Sequence, residues 1–121
     1  MDGLEDLGMG CIGFSPLAQG LLTKKYLNGV PEGARATKSP SFRSEWLTEY
    51  NIGIIRHLTD LAEQRGQTLA QMAIAWALRD PRMTTALIGT RTVEQLADSL
   101  KSLNNLSFTP EELKQIDELK L

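Results

Sequence analysis

Two short apolar segments, Cys11–Phe14 and Thr84–Ile88, frame a chain that otherwise reads as helix and loop. Each runs straight into a turn. The first is followed by Ser15-Pro16-Leu17-Ala18-Gln19-Gly20-Leu21-Leu22-Thr23 and the second by Gly89-Thr90-Arg91. Helical patterns lie between the segments, which fits strands of parallel βα units rather than a hairpin. A parallel pair alone leaves two open edges and closes a core poorly. The constraint points to an α/β chain that is part of a larger sheet or barrel, or that associates with other chains to cover those edges.

The helices announce themselves by spacing and by their ends. Leu47, Ile54, Ile55, Leu58, Leu61 and Ala62 define one apolar face over Leu47–Gln64, and Gly66 supplies a left-handed stop. Thr68 opens a second helix with Gln71 as its capping-box partner. Its inner stripe is Leu69, Met72, Ala73, Trp76 and Ala77, and Asp80-Pro81 ends it. A third helix starts near Thr92, with a similar box to Gln95, and is expected to bury Val93, Leu96, Ala97, Leu100 and Leu103. Thr109, Pro110 and Glu112 mark the start of a last helix with Leu113 and Ile116 inside. Residues 4–10 read as the frayed end of a helix. From Pro16 to Pro40 the chain is irregular, punctuated by Gly20, Gly29, Pro31, Gly33 and Pro40, with a short helix from Leu21 to Tyr26. Loops of that length are usually functional or mobile.

At 121 residues the chain has the size of one domain, and 41% apolar with 23% charged residues is a globular composition. A net charge of -2 gives no electrostatic case for nucleic acid or an acidic membrane. The single cysteine, Cys11, lies in an apolar segment, reads as packing, and excludes a disulfide framework or a Cys-rich metal site. No N-terminal signal pattern and no window near ~20 apolar residues is present, so a cytoplasmic protein without a membrane span is expected.

Candidate chemistry concentrates at the two turns. Gly89-Thr90-Arg91-Thr92 joins a strand end to a helix start, where free amides, the helix dipole, two hydroxyls and a guanidinium favour a phosphate. The alternative is an ordinary capped βα turn with a solvent-facing arginine. Ser15 either bonds a ligand or caps its own loop. Gly20, Leu21 and Thr23 offer backbone amides to a second phosphate if the loop folds over the site, and Gly20 equally serves as a turn residue. Lys24 and Lys25 read as a polyanion attractor or, more commonly, a solvated pair. His57, the only histidine, sits mid-helix without a nucleophile or metal-ligand cluster and is structural. Asp60, Glu63, Asp117 and Glu118 are solvated helix faces. Tyr26 and Tyr50 receive no catalytic role, and Trp46 and Trp76 are packing residues.

The stretches Gly13 to Thr23, Lys25-Tyr26-Leu27, Gln71-Met72-Ala73 through Trp76, and Leu87-Ile88-Gly89-Thr90-Arg91 through Gln95-Leu96 resemble the C-terminal part of an aldo-keto reductase. The bacterial branch akin to voltage-gated potassium-channel beta subunits is most similar. The resemblance implies a (β/α)8 TIM barrel binding NADP at the carboxyl ends of its strands. The chain supplies the seventh and eighth βα units, two parallel strands with flanking helices, plus the C-terminal helix. It implies Phe14 near the nicotinamide, and Ser15, Leu17 and Gly20 along the pyrophosphate path, with Leu21 also counted among the cofactor-binding residues. Gly89, Thr90 and Arg91 fall at the adenosine ribose or its 2'-phosphate, and Gln95, Asp98 and Ser99 at the adenine end. Two departures bear on that set: Lys24 stands where many relatives have glycine, and Asp98-Ser99 replaces a Glu-Asn pair, with a shorter reach and no amide fork. The family's aspartate, tyrosine, lysine and histidine come from earlier strands, and no residue here matches them. The expectation is a partial reductase without catalytic residues or a metal, inactive alone, which self-associates or joins the missing N-terminal portion of the barrel.

Overall fold

The computed structural model describes residues 2–29, 32 and 44–119. In chain order the elements are α1 (Asp2–Asp6), β1 (Cys11–Phe14), α2 (Glu49–Gln64), α3 (Leu69–Ala77), β2 (Met83–Leu87), α4 (Val93–Leu100) and α5 (Pro110–Glu118). Short 3-10 turns at Ala18–Gly20, Lys24–Tyr26, Ser44–Trp46 and Lys101–Asn104 complete the set. Pro31, Gly33 and Pro40, expected to punctuate the long loop, lie outside the described residues. No helix among the described residues is long and apolar enough to cross a membrane.

β1 and β2 pair in parallel, with Ile12 opposite Thr85, Gly13 opposite Ala86 and Phe14 opposite Leu87. The ladder is irregular between Cys11 and Ile12, where Thr84 is the extra residue on β2. Its hydroxyl takes the place of a backbone acceptor, receiving the Cys11 amide at 2.9 Å. Gly10 is required beside it, since a Cβ there would come within 2.7 Å of Thr84 Oγ1. Cys11 is half-buried.

The core lies between α2, α3 and the loop after β1. Ile54, Ile55, Leu58, Leu61 and Ala62 of α2 meet Leu69 and Met72 of α3 and Leu21 of the loop. Burying aliphatic side chains of this size stabilises by about 2 kcal/mol each. Tyr26 is 1% exposed, so the loop is pinned at two points. Gly66, at φ +70°, ends α2: its amide bonds Glu63 O and the Gln67 amide bonds Ala62 O, satisfying the last carbonyls. Thr68 and Gln71 form a reciprocal capping box at α3, and Thr109 and Glu112 another at α5. α5 is clamped to the end of α2 by Arg65, whose side chain is 2% exposed. Its guanidinium donates to Glu112 Oε2 (2.5 Å), Ser107 O (2.8 Å) and Gln67 Oε1 (3.1 Å), and stacks on Phe108.

Several sequence expectations change: β2 is Met83–Leu87 rather than Thr84–Ile88, α2 begins at Glu49 rather than Leu47, and the short helix in the loop is a 3-10 turn at Lys24–Tyr26 rather than Leu21–Tyr26. α3 stops at Ala77, before Asp80-Pro81, where Asp80 turns to clamp Arg82 through its backbone amide and guanidinium. The inner stripe of α3 is wider than expected: Ile74 and Ala75 are buried, while Ala73, Trp76 and Ala77 border an apolar cavity of about 260 Å³ with Leu22 and Ile116. The largest correction concerns α4, whose apolar stripe is uncovered rather than buried. Val93, Leu96, Leu100 and Leu103 are 77%, 42%, 54% and 55% exposed, and Ala97 is exposed with them. The helix has the right amphipathic pattern, and no described element lies against its apolar side.

Candidate functional site

Parallel pairing decides the geometry of the site. Because Phe14 stands opposite Leu87, both strands deliver their following turns to the same end of the sheet, on strands about 4.8 Å apart. Ser15 and the Gly89–Arg91 turn therefore follow the same end of the sheet, although Ser15 and Thr90 are 75 positions apart in the chain. Phe14 is 80% exposed and Leu87 60%, so an aromatic face stands free at this end.

The loop after β1 reverses sharply. Ser15, Ala18 and Gln19 have φ of 54°, 45° and 60°, left-handed conformations that non-glycine residues rarely adopt. Such values cost on the order of 1 kcal/mol or more each and persist only where surrounding contacts impose them. Here Leu21 and Tyr26 hold the loop in the core, and Thr23 caps the next turn, its hydroxyl donating to Gly20 O at 2.7 Å. The Gly20, Leu21 and Leu22 amides donate inside the loop, to Leu17 O, Ala18 O and Leu17 O. Gly20 and Leu21 thus build the reversal, and Ser15 is the exposed polar side chain of the group. Lys24 is tied to Glu63 of α2 in an exposed ion pair and is not a free cation.

At the second turn, Thr92 caps α4 by accepting from the Gln95 amide at 3.2 Å. The expected reciprocal bond is displaced by one residue: Gln95 Oε1 accepts from the Arg91 amide at 2.9 Å rather than from Thr92. Glu94 was missed by sequence reasoning. Its carboxyl lies below the usual range because it accepts first from its own backbone amide and then from the Thr92 hydroxyl. Its position in the first helical turn, where acidic residues favour the positive end of the dipole, was the available signal. An anion thus already sits at this helix start. Gly89, Thr90 and Arg91 are exposed, and the Arg91 guanidinium has no ion-pair partner among the described residues.

Gln95, Asp98 and Ser99 share the face of α4 opposite its bare stripe. Asp98 and Ser99 are half-buried, and Gln95 is exposed. Asp98 Oδ1 accepts from Gln71 Nε2 at 2.8 Å, and Lys101 Nζ lies 3.7 Å from the same oxygen. Around Arg91 stand an exposed guanidinium and the exposed Thr90 hydroxyl, while the start of α4 already holds the Glu94 carboxylate. The loop after β1 is a shaped wall with the Ser15 hydroxyl, while the Gly20 and Leu21 amides are committed inward. His57 is exposed in the middle of α2.

Two parallel strands whose following turns leave the same end of the sheet, joined through helices, are the parts of an α/β fold. A model of the Aldo/keto reductase family matches residues 2–121, and the chain belongs to that family. The family fold is a (β/α)8 barrel, of which the two parallel strands and their helices are a part. The chain is 49% identical to the L-glyceraldehyde 3-phosphate reductase of Escherichia coli O157:H7 and 48% identical to that of strain K12. Both matches cover 98% of this chain and 35% of the relative. A potassium channel beta subunit-like protein of Schizosaccharomyces pombe is 37% identical over 93% of this chain and 34% of its own length. The chain spans about a third of the length of the curated relatives it matches.

Proposed function

We propose that the chain is the cofactor-binding side of an NADP-dependent aldo-keto reductase, contributing the seventh and eighth βα units and the C-terminal helix of the barrel. The complete reductase reduces an aldehyde or ketone in the cytoplasm. The observation that carries the reading is that the Ser15–Gly20 and Gly89–Arg91 turns both follow the same end of the parallel pair. Bound there, the reduced nicotinamide would supply the hydride.

The roles follow from what each residue presents. Phe14 offers a free aromatic face to the nicotinamide. Ser15 and Leu17 line the pyrophosphate path on the reversal that Gly20 and Leu21 build. Gly89 lets the backbone approach the ribose, Thr90 donates a hydroxyl, and Arg91 pairs its fork with the 2'-phosphate. Gln95, Asp98 and Ser99 meet the adenine. The chain has none of the family's catalytic aspartate, tyrosine, lysine and histidine, so by itself it binds without reducing. Titration of the chain with NADPH by calorimetry tests the reading. Saturable binding, weakened about tenfold by Arg91→Ala, supports it; no saturable heat up to about 1 mM, the weak end of the affinity scale, contradicts it.

A second reading is favoured by the bare side of the molecule: a non-enzymatic module that self-associates or completes itself with the remainder of a barrel. Ile12, Phe14 and Leu87 on one sheet face, and Val93, Leu96 and Leu100 on α4, are apolar and exposed. Monomeric soluble proteins seldom leave large contiguous apolar patches uncovered. Light scattering discriminates, since a folded monomer at high concentration removes self-association.

A further inference from the structure

We infer that Gln71 is a positioning residue for the nucleotide end of the site, orienting Asp98 while it caps α3. The inference rests on the reading that Asp98 faces the adenine.

Gln71 is 6% exposed, and its carboxamide is fully spent. Oε1 accepts from the Thr68 amide at 3.1 Å, completing the α3 capping box. Nε2 donates to Asp98 Oδ1 at 2.8 Å and to Asp98 O at 3.2 Å. The assignment is fixed by chemistry, because turning the amide over would face an N–H donor with a donor and an oxygen with two acceptors. One side chain therefore ties the start of α3 to the last turn of α4, across 27 residues of sequence.

The consequence falls on the carboxylate. Gln71 and Lys101 both address Oδ1, so Oδ2 is the oxygen left to accept from a ligand amine, such as the exocyclic amine of adenine. An aspartate on an exposed helix samples several rotamers. Here a buried donor selects one of them. The bond to Asp98 O adds a second restraint, since that carbonyl also accepts the Lys101 amide at the end of α4. The capping box explains Gln71 Oε1, but it does not explain where Nε2 goes.

Gln71→Glu separates the two roles. The carboxylate still accepts from the Thr68 amide, so the cap survives, but it has no donor for Asp98 and repels it. Affinities of the full chain for adenosine 2',5'-bisphosphate and for reduced nicotinamide mononucleotide are measured by calorimetry, with hydrogen exchange of α3 as a check on folding. The expected result is a loss of about fivefold or more for the adenosine probe, with the nicotinamide probe within about twofold and α3 protection unchanged; misoriented contacts carry penalties of this order. Equal effects on both probes, or none on either, overturn the positioning role and leave the site reading intact. A wild-type chain that binds neither probe overturns the site reading and this inference with it. Gln71→Leu, which removes cap and donor together, is expected to weaken α3 protection as well; unchanged protection there with full adenosine binding also overturns the role.

Discussion

Around α2 and α3, apolar side chains meet other apolar side chains; around α4 and the open sheet face they meet solvent. Leu58 is 8% exposed and Ile55 1%, whereas Val93 is 77% and Phe14 80%. Both regions carry helix caps of the same kind, a threonine accepting the amide three residues on. The difference is therefore not in helix formation but in what lies opposite. Where the chain supplies both partners, as Leu21 and Met72 do for α2, the pattern becomes a core. Where no described residue supplies the partner, the same pattern remains exposed. The candidate site lies on the boundary between these regions: one turn is anchored in the core through Leu21, and the other leads into the bare helix.

That contrast predicts a graded set of effects. Leu58→Ala in the packed half is expected to cost about 3 kcal/mol, from lost transfer energy and the cavity left behind, measurable by denaturant unfolding. A loss below about 1 kcal/mol would show that this half is no better packed than the other. Arg65→Met is expected to cost about 2 kcal/mol, because it strands the Glu112 carboxylate and the Ser107 carbonyl while retaining some contact with Phe108.

On the bare side, Val93→Lys with Leu100→Lys is expected to change monomer stability by less than about 0.5 kcal/mol, as exposed substitutions do. A large loss would show that this stripe is covered in solution and erase the contrast. The smallest effect concerns Asp80, whose carboxyl is held well below its ordinary value of 3.8, chiefly by the side-chain hydrogen bonds from Arg82. A lowered folded value stabilises above the ordinary one and loses that contribution as pH falls through the folded one. The advantage of wild type over Asp80→Asn is therefore expected to be constant near neutrality and to shrink below about pH 4, read as the difference in unfolding midpoints. An advantage that grew on acidification would contradict the clamp.

Much of the packed half was legible in sequence because its signals are local. The Thr68–Gln71 and Thr109–Glu112 boxes, the Gly66 stop and the Ile54–Leu58–Leu61 face all follow from spacing within a few residues, and each appears where expected. The parallel pairing was legible from the order of elements, although the Thr84 bulge was not, since a hydroxyl replacing a carbonyl leaves no periodic trace. What spacing does not reveal is whether a partner exists. The stripe on α4 reads the same whether it is buried or bare, which is why Val93 and Leu100 were expected inside. The candidate site residues were assigned largely through likeness to the family. The roles of Glu94 and of Gln71 Nε2 depend on contacts across turns, and only coordinates bring those together.

The central claim is that the two turns act on a dinucleotide as one site, and amide chemical shifts of the labelled chain during NADPH titration test it most directly. The account predicts that Ser15 and Leu17 shift together with Gly89, Thr90 and Arg91 along one common isotherm, while α2 amides stay in place. Shifts confined to one turn, separate isotherms for the two, or no saturable shift would contradict it.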